Sequence, residues 1–253
     1  MLKIENTVLP SREQWKAVIM STRNPMNSWN KSDTSFDRNS CPHTPDGYCR
    51  FTSCPALGLV RCPVDDEDRH KFTMGKKDLA LLSRLSKAGT DHGKFLRMIP
   101  IYLDITAPLY WWKESDTYRV GVVANSCSTM HKIAEKEFTL DDFSHEHLII
   151  REKPVLEGTT VPESSNAIWL MHQTVQILNQ YRNLYLQTKD KKYWWQMIQL
   201  LPSSYNQKRT ISLNYQVLKN MYFARKDHKL DEWHTFCDWI ETLPYAKELI
   251  LNK

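Results

Sequence analysis

The chain has 253 residues, 41% of them apolar and 25% charged, with a formal net charge of +5. That length can bury a sizeable core, and the near balance of 34 basic against 29 acidic residues argues against a dedicated nucleic-acid binder. Only 7 glycines are present, against 9 tryptophans and 11 tyrosines, which disfavours a Gly-rich phosphate cradle and favours an aromatic core.

The opening MLKIENTVLP has no apolar run of the signal-peptide kind, and no stretch reaches the roughly 18 apolar residues of a membrane span. A soluble, cytoplasmic chain with reduced cysteines is expected. Ser11 followed by Gln14 reads as a capping box ahead of a helix carrying Trp15, Val18 and Ile19. Periodicity then vanishes over 24–70, where five prolines and four cysteines predict a long irregular insertion. Leu79, Leu82 and Leu85 restore helical spacing up to Gly89.

Residues 98–105 read as a strand, followed by a helix start at Pro108 running through 109–113. The stretch 118–123 fits either type, and 138–162 reads as a polar, irregular connection. Four apolar stripes at helical spacing follow. They are marked by Ile168 and Leu178, by Trp194 and Met197, by Leu213 and Val217, and by Trp233 and Ile240. The expected fold class is α+β, a mixed sheet with packed helices, in a single domain spanning 1–253.

Four stretches carry chemistry. Cys41, Cys49, Cys54 and Cys62 are separated by 7, 4 and 7 residues. Four thiolates can hold zinc, although only the central pair approaches the usual knuckle spacing, and reduced cysteines packed as small apolar groups fit as well. Asp116, Tyr118 and Arg119 precede 124–129, a run of small polar residues suited to wrapping a phosphate or to an ordinary turn. Cys127 lies four residues before His131, a spacing that admits a thiol–imidazole pair. The stretch 201–210 joins Lys208 and Arg209 to hydroxyls and an aromatic ring, and reads as a basic loop before a helix. Lys189, Lys191 and Lys192 beside Trp194 and Trp195 offer a basic, aromatic surface for single-stranded nucleic acid, although Trp194 also continues a core stripe.

Leu201-Pro202, eleven residues, Asn214, and Arg225 eleven positions later form a pattern similar to that of the flavin-dependent thymidylate synthases. Upstream, Gly89, the strand near 98–105, Arg119 and Asn125-x-x-Ser128 follow the same order. The resemblance covers about 75–132 and 165–241, and leaves 24–70 without a counterpart. Of the family's Arg-His-Arg signature only Arg119 is kept, Ser126 and Met130 replace a Glu and an Arg, and Gln216 stands where the family has Arg.

The resemblance implies reductive methylation of dUMP by a homotetramer, with FAD as hydride carrier and methylene-tetrahydrofolate and NADPH as co-substrates. It places Tyr118, Arg119 and Asn214 at the flavin. Ser126, Ser128 and Gln216 would face the nucleotide, Lys208 or Arg209 its phosphate, and Ser128 the reacting centre. It assigns no metal. The neutral replacements define a second expectation, a nucleotide-binding or nucleotide-modifying relative without thymidylate synthase activity.

Overall fold

The computed structural model describes residues 2–34, 74–149 and 166–252. In chain order these form β1 (Lys3–Val8), α1 (Arg12–Arg23), α2 (Lys76–Lys87), β2 (Pro100–Pro108), α3 (Leu109–Ser115), β3 (Val123–Ser126) and α4 (Thr129–Lys132). There follow α5 (Ala167–Thr188), α6 (Lys191–Leu200), β4 (Asn206–Asn214), α7 (Tyr215–Arg225), α8 (Asp231–Glu241) and α9 (Ala246–Leu249). The strands form one sheet in the order β1-β2-β4-β3. The α+β class is as expected. Where a mixed sheet was expected, β1 with β2 and β3 with β4 both pair antiparallel.

The chain divides into two compact units, each assembled from three stretches. The first takes 1–8, 102–213 and 224–238. Its sheet follows period-2 logic: Leu103, Ile105 and Ala107 of β2 and Ile211 and Leu213 of β4 are buried, while Tyr102 points to solvent. Pro108, extended at the N-cap, ends the strand and starts α3, which buries Trp111 and Trp112. Trp111 packs 4.8 Å from Trp233 and 5.8 Å from Phe236 of α8.

Two elements differ from the sequence reading. Residues 206–214 form a strand where a basic loop and the start of a helix were expected, and Leu213 belongs to that strand. The alternation of Lys208, Thr210 and Ser212 with Arg209, Ile211 and Leu213 is a strand pattern, masked by its polar composition. Residues 138–149, expected to be a loose polar connection, are anchored. Phe138 and Phe143 are buried with Ile133, Ala134, Leu178 and Met197, and the Asn179 amide bonds both the N–H and C=O of Phe138 at 2.8 Å. Leu178 and Met197 come from α5 and α6, joined through Lys189 in the left-handed region at φ 55°.

The second unit takes 9–101, 214–223 and 239–253. The capping box forms as read: Gln14 N–H donates to Ser11 Oγ at 3.2 Å and Ser11 N–H to Gln14 Oε1 at 2.7 Å. Trp15 sits edge-on to Tyr215 and Tyr245, at 6.0 and 5.5 Å. Gly89, at φ +92°, follows α2 in the role expected of it.

The irregular stretch expected from residue 24 opens with two 3-10 turns, Asn24–Met26 and Trp29–Lys31, and then meets a buried clasp. Arg23 donates to Asp78 Oδ1 through Nε at 2.7 Å and Nη2 at 2.5 Å. Asp78 Oδ2 accepts from Ser32 Oγ and from both the N–H and Oγ1 of Thr34. Asp33 in turn accepts from the N–H groups of Lys77 and Asp78 at the start of α2. Burial alone would raise the Asp78 pKa, but the bonds from Thr34, Ser32 and Arg23 outweigh it and the value is lowered. A Cβ on Gly75 would lie 2.4 Å from the Asp33 carbonyl carbon, so only glycine fits there.

Candidate functional site

In the first unit β3 pairs with β4, setting Ser126 opposite Arg209 and Asn125 opposite Thr210. Cys127 N–H extends the pairing to the Lys208 carbonyl at 3.0 Å. The chain then turns into α4, capped by Ser128. Its Oγ accepts from His131 N–H at 3.4 Å and lies 2.6 Å from His131 Nδ1, so the hydroxyl proton points at the imidazole when Nδ1 is unprotonated. His131 therefore partners Ser128, where the sequence had suggested Cys127. Ser126, Cys127 and all of β3 are exposed.

Lys208 and Arg209, put forward for one phosphate, point to opposite faces of β4. Lys208 bridges Asp104 at 3.1 Å and approaches Glu5. Asp104 also accepts from Thr210 Oγ1 at 2.6 Å and Asn6 Nδ2 at 2.9 Å, and the bonds from Thr210, Asn6 and Lys208 lower its pKa to about 2. On the other face the Arg209 guanidinium stacks 4.3 Å above Trp112, donates to Asp116 Oδ1 at 2.8 Å and to Gln207 Oε1 at 2.9 Å. Gln207 Nε2 passes the chain on to Thr129 Oγ1 at 3.1 Å and the Cys127 carbonyl at 3.4 Å. Arg209 is thus committed to holding the 127–129 turn, through a glutamine the sequence reading had not singled out. The period-2 pattern of β4 would have flagged Gln207 as an inward polar residue.

Tyr118 is half-buried and its hydroxyl accepts from Arg225 Nε at 3.0 Å. Arg225 also stacks on Trp233 at 4.9 Å and donates to Glu114 Oε2 at 2.9 Å. That oxygen accepts from Trp233 Nε1 at 3.0 Å as well, and lies 3.2 Å from His228 Nε2. Arg225, whose spacing carries the resemblance, is therefore engaged inside the unit through Nε, Nη1 and the face of its guanidinium. Arg119 differs. It is exposed, and its guanidinium makes one contact among the described residues, 3.4 Å from Nε to the Asp116 carbonyl.

In the second unit Asn214 Oδ1 caps α7 by accepting from Val217 N–H at 3.1 Å, which leaves its amide nitrogen without a partner among the described residues. Gln216 Nε2 donates to Asn220 Oδ1. The structure thus groups Tyr118, Arg119, Ser126, Ser128 and Arg209 around one strand pair, and sets Lys208 on that sheet's other face.

Of the remaining candidates, Trp194 packs on the Phe138–Met197 cluster. Lys189, Lys191 and Lys192 each lie over a ring of their own helix pair, Tyr185, Trp195 and Tyr193. Cys41, Cys49, Cys54 and Cys62 lie outside the described residues. Among the described residues no His, Cys, Asp and Glu cluster is arranged to hold a metal, and no helix is long and apolar enough to cross a membrane.

The fold defined by this sheet and its helices is that of the flavin-dependent thymidylate synthases. A thymidylate synthase ThyX from Helicobacter pylori, solved with FAD and dUMP, matches with a TM-score of 0.58 at 15% identity, covering 99% of this chain and 97% of that one. A UMP/dUMP methylase, PolB from Streptomyces cacaoi, bound with 5-Br dUMP, matches at 0.52 and 10% identity, over 99% and 95%. No family model and no curated protein matches the sequence.

Proposed function

We propose that this chain is a flavin-dependent thymidylate synthase-like enzyme that modifies a pyrimidine nucleotide of the dUMP type. The observation that carries the reading is the near end-to-end match to ThyX and to a dUMP methylase, together with an exposed arginine and serine on the 118–131 surface that have hydrogen-bonding capacity left over. A phosphate-bearing group such as FAD fits these donors. Arg119 keeps unspent N–H groups suited to a pyrophosphate. FAD, when bound, supplies hydride transfer, with methylene-tetrahydrofolate as carbon donor and NADPH as reductant.

The chain's own residues bind, orient and move protons. Arg119 neutralises phosphate charge and exposed Ser126 donates to the nucleotide. Tyr118 is held by Arg225 as a fixed wall. Ser128 shares its proton with His131 Nδ1, so the pair can deliver or take a proton at Oγ without moving the backbone. Met130 presents no charge and gives the 118–131 surface a selectivity different from that of an arginine-rich one. The active enzyme is a homo-oligomer.

The test is a visible absorbance spectrum of the purified protein after FAD loading and gel filtration, followed by dUMP-dependent oxidation of the reduced flavin. Retained flavin bands and dUMP-dependent oxidation support the reading. A second reading, a nucleotide binder without turnover, is favoured by the internal pairing of Arg209 and Arg225. Nucleotide binding without flavin retention selects it.

A further inference from the structure

The near balance of charge over the whole chain conceals a local excess in the second unit. Residues 76–97 hold six basic and two acidic residues, and so supply four of the chain's five net positive charges. Lys76, Lys77, Arg84, Lys87, Lys94 and Arg97 are all exposed, and none forms an ion pair among the described residues. Of the two acids, Asp78 is buried in the clasp with Arg23, which leaves Asp91. Asp33 caps the start of α2 through backbone N–H groups and bridges neither lysine there. On α2 the four cations fall within an arc of about 100° and span about 16 Å. Lys94 and Arg97, three apart on the 3-10 helix Gly93–Met98, share a face of it. That helix packs on the end of α2, where a Cβ on Gly93 would lie 3.6 Å from the Leu85 carbonyl.

We infer that this face is a docking surface for the phosphate backbone of duplex nucleic acid, bound without regard to base sequence. Its composition chooses the partner. A duplex carries one charge per about 1.7 Å of its axis, so a length equal to the basic face of α2 offers about ten. Asn, Gln, Trp and Tyr are absent from 76–97 and Phe95 is buried, so the face has cations for phosphates and no large ring to stack on an unpaired base. A helix lying on a membrane adds exposed Leu, Phe or Trp to its cations. Here no large apolar side chain between Lys76 and Arg97 is exposed, and Leu82, Phe95 and Leu96 are buried. The patch is also uncompensated from beneath. Lys219 of α7 donates to the Ser86 carbonyl and Oγ and to Asn252 Oδ1, none of them a carboxylate, and burial together with the charge of Lys87 lowers its pKa.

None of these residues belongs to the 118–131 surface, so the docking and the nucleotide chemistry stand or fall separately. The test is fluorescence anisotropy of the full chain with a short fluorescein-labelled DNA duplex, titrated between about 50 and 200 mM salt. Affinity should fall linearly on logarithmic axes and be the same for a scrambled sequence. Reversing Lys77→Glu, Arg84→Glu and Lys87→Glu together should weaken binding about a hundredfold at low salt and flatten the salt slope by about three. Circular dichroism and melting temperature report on folding, and Arg84→Gln with Lys87→Gln, which should flatten the slope by about two, carries the test should the reversal unfold the chain. Reversing Lys189, Lys191 and Lys192 to Glu changes the total charge equally and should leave affinity within about threefold of native. A native chain that does not bind the duplex, binding insensitive to salt, or equal losses in the two triple variants would each overturn the inference. Binding to phosphatidylserine vesicles with none to the duplex would overturn it in favour of a membrane surface.

Discussion

The Asp78 clasp of the second unit and the 118–131 surface of the first use the same residue types to opposite ends. In the clasp the Asp78 carboxylate is buried and saturated: it takes two bonds from Arg23 and more from Ser32, Asp33 and Thr34. On the 118–131 surface Arg119 and Ser126 are exposed and carry unspent donors. Saturation makes a polar group a structural fastener, whereas spare capacity on a fixed backbone makes it available to a ligand.

The sharpest way to break this contrast is Asp78→Ala, which leaves the buried Arg23 unpaired and should cost about 3–5 kcal/mol in denaturant unfolding. The pH dependence follows from the lowered Asp78 pKa. Its contribution is complete above the unfolded value of about 4 and is lost as pH falls through the lower folded value, so native and Asp78→Asn proteins should converge in stability at acid pH. Next in size, Arg119→Glu should weaken flavin or nucleotide binding by about 10–100-fold with an unchanged melting temperature. Were it to unfold the protein instead, Arg119 would belong with the fasteners.

Gln207→Ala sits between the two regimes. It should cost about 1–2 kcal/mol by stranding partners at Thr129 and Arg209, and it should impair turnover more than nucleotide affinity because it loosens the 127–129 turn without touching a ligand. The smallest effect is expected from Lys208→Ala, whose surface pairing with Asp104 should leave affinity and melting temperature within error. A loss of nucleotide binding in that variant would place the phosphate on the other face of the sheet.

What the sequence revealed divides along physical lines. Helices with a wide apolar stripe were legible, as were the Ser11 capping box and Gly89, because each is a local pattern. β4 was not. Its strand pattern includes Gln207 and Arg209 facing inward, and what makes that tolerable is Trp112 beneath Arg209 and Asp116 beside it, 93 residues away in the chain. The commitment of Arg225 was hidden for the same reason, since Glu114 and Tyr118 reach it from across the unit. Motif spacing announced a fold; only the assembled partners distinguish an arginine still free to bind from one already spent.

The clasp also has a consequence for chain topology. Thr34 Oγ1 accepts from Gly75 N–H at 2.9 Å, so residues 34 and 75, forty-one positions apart, are held almost at a single point. Loop-closure entropy grows only with the logarithm of the contour length. With the two ends fastened at one point, the end of α1 and the start of α2 are held in register by the clasp itself. Removing that fastening with Thr34→Val should lower the melting temperature while leaving the helical circular dichroism signal in place.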